Sequence, residues 1–124
     1  MSIVYNKSLI KSFVYAFEGL FHAVRYNRNL KIHLVVALVV ILLSIFIHVT
    51  SFEMGILGVM ILLVILSEMI NTAIEEMVNL ITQEHRKEAK IAKDVAAGMV
   101  LVASVGSVIV GVLIFTPYIL KLFS

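Results

Sequence analysis

Three long apolar segments dominate this chain, and polar residues interrupt them unevenly. The first is predicted over residues 30–50, with Lys31 and His33 confined to its leading end. The second is predicted over residues 52–81 and the third over residues 93–120. Each segment is long enough to cross about 30 Å of hydrocarbon as a helix. The pattern therefore predicts three membrane-spanning helices.

A segment before the first span separates apolar from polar residues. The apolar residues recur at helical spacing, at Ile10, Phe13, Phe17, Leu20, Phe21 and Val24. Polar residues share another face, at Lys7, Lys11, Glu18, His22 and Arg25. This spacing predicts an amphipathic helix over residues 5–26, lying on the inner membrane surface. It serves either as an anchor or as a lid over a site, with Tyr15 facing what lies beneath.

Composition supports an all-α membrane protein with a single domain over residues 1–124. Of the 124 residues, 61% are hydrophobic, and the mean hydropathy is +1.08. With no cysteine, the chain has no thiolate nucleophile or thiolate metal ligand. The net charge of +2 and the absence of a basic stripe with interleaved aromatics argue against nucleic acid as a partner. The segment 1–13 lacks a signal-peptide pattern, so we expect the first span to direct insertion.

Basic residues predict the orientation in a bacterial cell membrane. They precede the first span or separate the second from the third, at Lys7, Lys11, Arg25, Arg28, Lys31, Arg86, Lys87, Lys90 and Lys93. The connection around Ser51 and Glu53 has none. The positive-inside rule therefore predicts a cytoplasmic N-terminus and a C-terminus outside.

The third span carries small residues that allow membrane helices to approach closely. They are Gly98, Ala103, Gly106, Ser107 and Gly111. We expect them to pack against other helices, including those of neighbouring subunits. Pro117 is expected to kink or end the last turn.

A polar stripe runs along the second span. Glu68, Asn71, Glu75 and Asn79 occupy positions i, i+3, i+7 and i+11, which fall within about 80° on a helical wheel. An ionisable residue inside a span costs roughly 2.5–3.5 kcal/mol. At 1.5 Å per residue, Glu68 lies about 10 Å deeper than Glu75. The stripe therefore indicates a functional site.

The alternative is that the shallower glutamates, Glu75 and Glu76, already lie in the headgroup region. They would then pair with Arg86 or Lys87 across the turn. This interpretation does not account for Glu68.

A second polar cluster opens the third span, where Lys90, Lys93 and Asp94 share a helix face. Alone, it is typical of a helix cap and a positive-inside signal. Opposite the stripe, it completes the groups that phosphoryl transfer needs. Carboxylates bind Mg²⁺, a lysine holds phosphates, and a deep carboxylate takes a proton from a lipid alcohol.

These residues resemble a known family, the small integral-membrane lipid kinases that include bacterial diacylglycerol kinase and undecaprenol kinase. The resemblance covers nearly the whole chain. Its motifs are Glu68-x-x-Asn71-Thr72-Ala73-Ile74-Glu75, Ala92-Lys93-Asp94, Gly19-Leu20 and Lys31-Ile32-His33. The run KDVAAGMVLV is similar to the undecaprenol kinase branch. The resemblance implies a homotrimer with active sites formed between neighbours at the cytoplasmic surface.

The resemblance also implies roles for individual residues. Glu68 corresponds to the catalytic base that meets the lipid substrate, and Glu75 to a ligand of the Mg²⁺ that accompanies ATP. Ala97 falls at the lipid entrance. The implied ATP-binding residues are Tyr15, Asn71, Glu75, Asn79, Glu84, His85, Arg86, Lys93 and Asp94.

Two positions depart from the family pattern. Asn27 stands where the family has a second metal-binding glutamate, although its carbonyl oxygen can still bind Mg²⁺. Asn79 stands where the family usually has Asp. The loss of these two carboxylates leaves three possibilities: a weaker kinase, a site rebuilt with Glu76 or Glu18, or an inactive paralogue. We favour an active enzyme because the other motif residues are present.

Four functions compete at this point. The leading hypothesis is an ATP-dependent phosphotransferase that phosphorylates undecaprenol, and a diacylglycerol kinase is the closest alternative. A proton-coupled transporter would use a deep glutamate but would not need Lys93 and Asp94. A non-catalytic scaffold would account for Asn27 and Asn79. The histidines His22, His33 and His48 are assigned no metal role.

Overall fold

In a computed structural model of the protein, the structure is described for residues 8–124, and this part of the chain forms four α-helices. They are α1 (Leu9–Tyr26), α2 (Arg28–Ile47), α3 (Ser51–Ile81) and α4 (Lys87–Leu122). The last three are long and apolar enough to cross a membrane. Over the described residues, the predicted all-helical fold with three candidate membrane-spanning helices is confirmed. The first residues of the predicted surface helix, 5–7, lie outside the described part.

Side-chain caps fix where the first three helices begin. The Ser8, Asn27 and Thr50 side chains each accept a hydrogen bond from a backbone N–H of the first turn. Such caps satisfy donors that have no partner within the helix. Because Asn27 is the cap, α2 begins at Arg28 instead of residue 30. It ends at Ile47, before the predicted residue 50, since His48 adopts a left-handed conformation with φ 63°.

The last helix is longer at both ends than predicted. It begins at Lys87 instead of residue 93, because its polar first turns consist of good helix formers, KEAK. It also continues past Pro117 to Leu122, so of the two effects expected of Pro117, a kink or the end of the helix, the second is wrong and the first stays a prediction. Packing against neighbouring helices allows a membrane helix to retain a proline. Next to it, the Thr116 hydroxyl donates to the Val112 carbonyl at 2.5 Å.

The polar residues of α3 and α4 lie at one end of the bundle, and both helices are longer than the hydrocarbon is thick. Along the chain, α1 packs against α2, α2 against α3, and α3 against α4. The α1–α2 junction and the 82–86 connection lie at the same end, here called the basic end, which carries Arg25, Arg28, Arg86 and Lys87. With 31 and 36 residues, α3 and α4 measure about 46 and 54 Å, more than the roughly 30 Å of hydrocarbon. Because the polar residues gather at the basic end, we expect both helices to extend beyond the hydrocarbon there.

The small residues of α4 differ in what they face. A methyl group at Gly106 would lie 3.7 Å from Met60 Cε, so this glycine packs against α3. A methyl group at Gly98 or Gly111 would meet nothing within 4 Å in the described part of the chain. Packing within one chain therefore accounts for Gly106, and packing between subunits stays a prediction for the other two.

Candidate active site

The deepest carboxylate of the polar stripe is enclosed by the α1–α2 junction. Glu68 is only 2% exposed. Its Oε1 accepts a hydrogen bond of 3.1 Å from Asn27 Nδ2. A buried carboxylate needs such a donor, because burial without a partner is costly. The junction between α1 and α2 supplies it.

Asn27 uses both ends of its side-chain amide. Oδ1 accepts from Leu30 N at 3.1 Å and caps α2. Nδ2 donates to Glu68 and to the Thr72 hydroxyl, which in turn donates to the Glu68 carbonyl oxygen at 3.0 Å. A backbone N–H can only donate and a carboxylate can only accept, so the partners determine which way the amide points. Sequence analysis assigned no role to Thr72.

His33 is a second neighbour of Glu68 that sequence analysis missed. Its Nε2 lies 3.9 Å from Glu68 Oε2, too far for a hydrogen bond. The sequence did contain one indication, because His33 belongs to the Lys31-Ile32-His33 motif of the family resemblance. Periodicity could not show that α2 brings this ring against α3. Glu68 therefore has one oxygen engaged by Asn27 and one directed towards His33.

A polar cavity of about 230 Å³ lies beside these residues. Asn27, Glu68, Asn71, Thr72 and Glu75 all contribute to its lining. Asn71 is 6% exposed, and within residues 8–124 its buried Oδ1 has no hydrogen-bond partner. A buried acceptor without a donor is unusual in proteins, so this oxygen is available to a ligand.

The oxygen atoms in this cavity suit Mg²⁺. Glu75 is exposed and offers a carboxylate, and Asn71 offers its unpaired amide oxygen. In the described part of the chain, no group of three or more histidine, aspartate or glutamate residues could hold a metal ion. Mg²⁺ commonly takes one or two carboxylates and completes its shell with water and substrate phosphates. The residues therefore fit a metal ion that arrives with a nucleotide.

A second cavity of about 620 Å³ lies at the connection between α3 and α4. Its lining contains the predicted ATP-binding residues Asn79, Glu84, His85, Arg86, Lys93 and Asp94. Lys93 Nζ donates to Asn79 Oδ1 at 2.7 Å, which places α4 opposite the polar stripe, as predicted. Lys90 pairs with Asp94 at 2.5 Å.

The proposed pairing of Glu75 or Glu76 with Arg86 or Lys87 is absent. Arg86 pairs instead with Glu84 at 3.1 Å. Within residues 8–124, neither Glu75 nor Glu76 forms an ion pair. Glu75 therefore keeps its carboxylate open to the first cavity.

The two cavities share no lining residue. Glu75 belongs to the first and Lys93 to the second, so one chain does not gather all predicted ATP-binding residues in a single pocket. Tyr15 and Ala97 line neither cavity and are exposed. Of the two glutamates considered as replacements, Glu76 lines the first cavity and Glu18 does not.

An apolar groove of about 540 Å³ runs between α2, α3 and α4. Residues such as Ala37, Val64 and Gly111 line it, and it reaches His33. Because His33 also approaches Glu68, the groove ends next to the buried carboxylate. The arrangement can hold an apolar chain with a polar head close to Glu68.

Comparisons with known proteins agree with the resemblance found in the sequence. Residues 14–115 match the family described as prokaryotic diacylglycerol kinase. The chain is similar to the undecaprenol kinase of Bacillus subtilis, with 41% identity over 86% of this chain and 87% of that protein. It is also similar to a diacylglycerol kinase of Synechocystis, with 38% identity over 93% of this chain. That match spans 66% of the Synechocystis protein. This chain belongs to the prokaryotic diacylglycerol kinase family.

Proposed function

We propose that this protein transfers the γ-phosphoryl group of MgATP to a membrane lipid alcohol, undecaprenol, at the cytoplasmic face of the membrane. The observation that carries the proposal is the 2% exposed carboxylate of Glu68, set between a polar cavity and the end of an apolar groove. A membrane alcohol and a soluble nucleotide have to meet where an apolar site adjoins a polar one, and Glu68 lies at such a position.

Glu68 acts as the base in this proposal. Its Oε1 is engaged by Asn27, which leaves Oε2 to take the proton of the lipid hydroxyl. The alcohol oxygen then forms a bond to the γ-phosphorus, and the bond from that phosphorus to the bridging oxygen of ADP breaks. The products are the lipid phosphate, ADP and a proton held first on Glu68.

The shallower residues bind the nucleotide. Glu75 and Asn71 would hold the Mg²⁺ that accompanies ATP, which neutralises phosphate charge during transfer. Lys93 and Arg86 supply positive charge from the second cavity. Tyr15, Asn79, Glu84, His85 and Asp94 complete the proposed ATP contacts, and Ala97 the lipid entrance.

The two separate cavities support a shared site. Because Glu75 and Lys93 line different cavities of one chain, a neighbouring copy would bring the missing half. We propose a homotrimer in which each site lies between subunits.

The N-terminus and α1 lie at the cytoplasmic surface, where exposed Phe13 and Phe17 meet the membrane.

One comparison favours undecaprenol as the acceptor, and the apolar groove is compatible with it. The undecaprenol kinase of Bacillus subtilis is similar along 86% of this chain and 87% of its own length. The groove offers apolar side chains for an isoprenoid chain. Diacylglycerol is the second candidate, because the Synechocystis relative is a diacylglycerol kinase.

Phosphate transfer from labelled MgATP tests the proposal directly. Purified protein in mixed micelles is offered undecaprenol and diacylglycerol in parallel, with Glu68→Gln as the matched variant. We expect faster transfer to undecaprenol and loss of transfer in the variant. Preference for diacylglycerol would assign the other substrate. No transfer to either lipid by folded protein would favour the scaffold hypothesis.

A further inference from the structure

We propose that Asn27 is a positioning residue that holds the Glu68 carboxylate in place, and that it is not a metal ligand. This inference rests on the proposed kinase function. It revises the expectation that the Asn27 carbonyl oxygen binds Mg²⁺. It also assigns a specific physical role to Asn27, the residue that departs from the family pattern.

The hydrogen bonds of Asn27 carry the argument. Its carbonyl oxygen is engaged by Leu30 N at 3.1 Å, so that oxygen faces the start of α2. Its NH₂ group reaches Glu68 Oε1 at 3.1 Å and also donates to Thr72. The atoms directed towards the catalytic carboxylate are therefore donors, and a donor cannot bind a cation.

A carboxylate at position 27 would have the opposite effect. It could still cap α2, because Asp and Asn are equally good caps. It would, however, set an acceptor against the Glu68 carboxylate, and two such neighbours need a proton or a cation between them. The Asn27 amide supplies an internal donor instead, so Glu68 keeps its place without a bound ion.

The amide also decides which oxygen of Glu68 reacts. With Oε1 fixed by Asn27, the side chain presents Oε2 towards His33, at 3.9 Å, where the apolar groove ends. Without the amide, the carboxylate could turn away from this direction. We therefore expect the Asn27 amide to contribute to the rate of phosphoryl transfer and not to the binding of MgATP.

Two substitutions separate this role from helix capping. Asn27→Asp keeps the cap and the size of the side chain but loses the donor, and Asn27→Ser keeps a cap without adding charge. We expect both to lower kcat about tenfold or more, the usual result of misplacing a reacting group. In Asn27→Ser, which adds no charge beside the proposed metal site, the KM for MgATP should stay within about twofold, because ground-state binding is unaffected. A raised KM with unchanged kcat would overturn the inference, and so would unchanged kinetics.

A swapped pair provides a test that does not depend on turnover. In Asn27→Asp combined with Glu68→Gln, the donor and the acceptor exchange places, so the hydrogen bond can form again. We expect Asn27→Asp alone to lower the unfolding temperature in detergent and the double variant to recover much of that loss without recovering transfer. Additive losses would show that the two side chains are not coupled and would overturn the inference. If wild-type protein transfers no phosphate while the swap restores stability, the kinase proposal fails and the contact between the side chains is still established.

Discussion

The ammonium group of Lys93 on α4 donates a 2.7 Å hydrogen bond to the side-chain oxygen of Asn79 on α3. The contact joins the two helices next to the 82–86 connection. Because the amide oxygen is neutral, it orients the ammonium group without cancelling its charge. Lys93 therefore keeps a full positive charge to offer to a phosphate.

Removing that charge should weaken nucleotide binding. We expect Lys93→Met to raise the KM for MgATP about tenfold or more, because a hydrogen bond to a charged group contributes about 1.5–3 kcal/mol. Steady-state kinetics at saturating lipid measures the change. Lys121→Met removes the same charge at the other end of α4 and should leave KM unchanged. An equal rise in the KM for MgATP in both variants would mean that the net charge of the protein, and not the position of Lys93, determines nucleotide binding.

Glu75 is the predicted metal ligand, and Glu76 is its natural comparison. Both line the first cavity, and neither forms an ion pair within the described chain. We expect Glu75→Gln to raise the Mg²⁺ concentration for half-maximal transfer about tenfold, equivalent to roughly 1.4 kcal/mol of lost binding. Binding of Mn²⁺ with a non-hydrolysable ATP analogue, followed by electron paramagnetic resonance, gives a readout independent of turnover. A larger effect from Glu76→Gln would show that the site has been rebuilt around Glu76.

Gly111 lines the apolar groove, and no described residue lies within 4 Å of the place where its methyl group would be. Gly111→Leu should fill part of the groove and raise the KM for undecaprenol without changing the KM for MgATP. Gly111→Ala, which adds a single methyl group, should have little effect. An unchanged KM for undecaprenol in Gly111→Leu would argue that the lipid chain lies elsewhere.

Tyr118 links α4 to the start of α3 at the end of the bundle opposite the basic end. Its hydroxyl donates to Glu53 Oε1, which also accepts from Thr50 N at 3.0 Å in a capping box. Removing the hydroxyl should loosen this link and lower the unfolding temperature. We expect Tyr118→Phe to keep its kcat, because the residue lies far from Glu68 along both helices.

Glu53→Ala, which removes the acceptor of the Tyr118 hydroxyl, provides the partner variant for a double-mutant cycle. If the hydroxyl and the carboxylate stabilise each other, the double variant should lose less stability than the two single variants combined. Strict additivity would contradict the link. A fall in kcat in Tyr118→Phe would instead show that the two ends of the bundle are coupled.

The sequence by itself determined the elements that depend on neighbouring residues. Apolar segments of membrane-spanning length predicted α2, α3 and α4, and helical spacing placed Glu68, Asn71, Glu75 and Asn79 on one stripe. These features follow from the helical repeat and from the cost of exposing polar groups to lipid, which act locally. Helix ends were less certain, because the cap at Asn27 and the left-handed His48 shifted the bounds of α2.

Only the tertiary structure decided which distant residues meet. Asn27 and Glu68 are 41 positions apart, and no periodicity predicts that the amide of one engages the carboxylate of the other. The approach of His33 to Glu68 and the division of the predicted ATP-binding residues between two cavities depend in the same way on how the helices pack. A helical repeat fixes the face on which a side chain lies, whereas its partner is fixed by the rotation and depth of a second helix. Those are set by packing over the whole bundle.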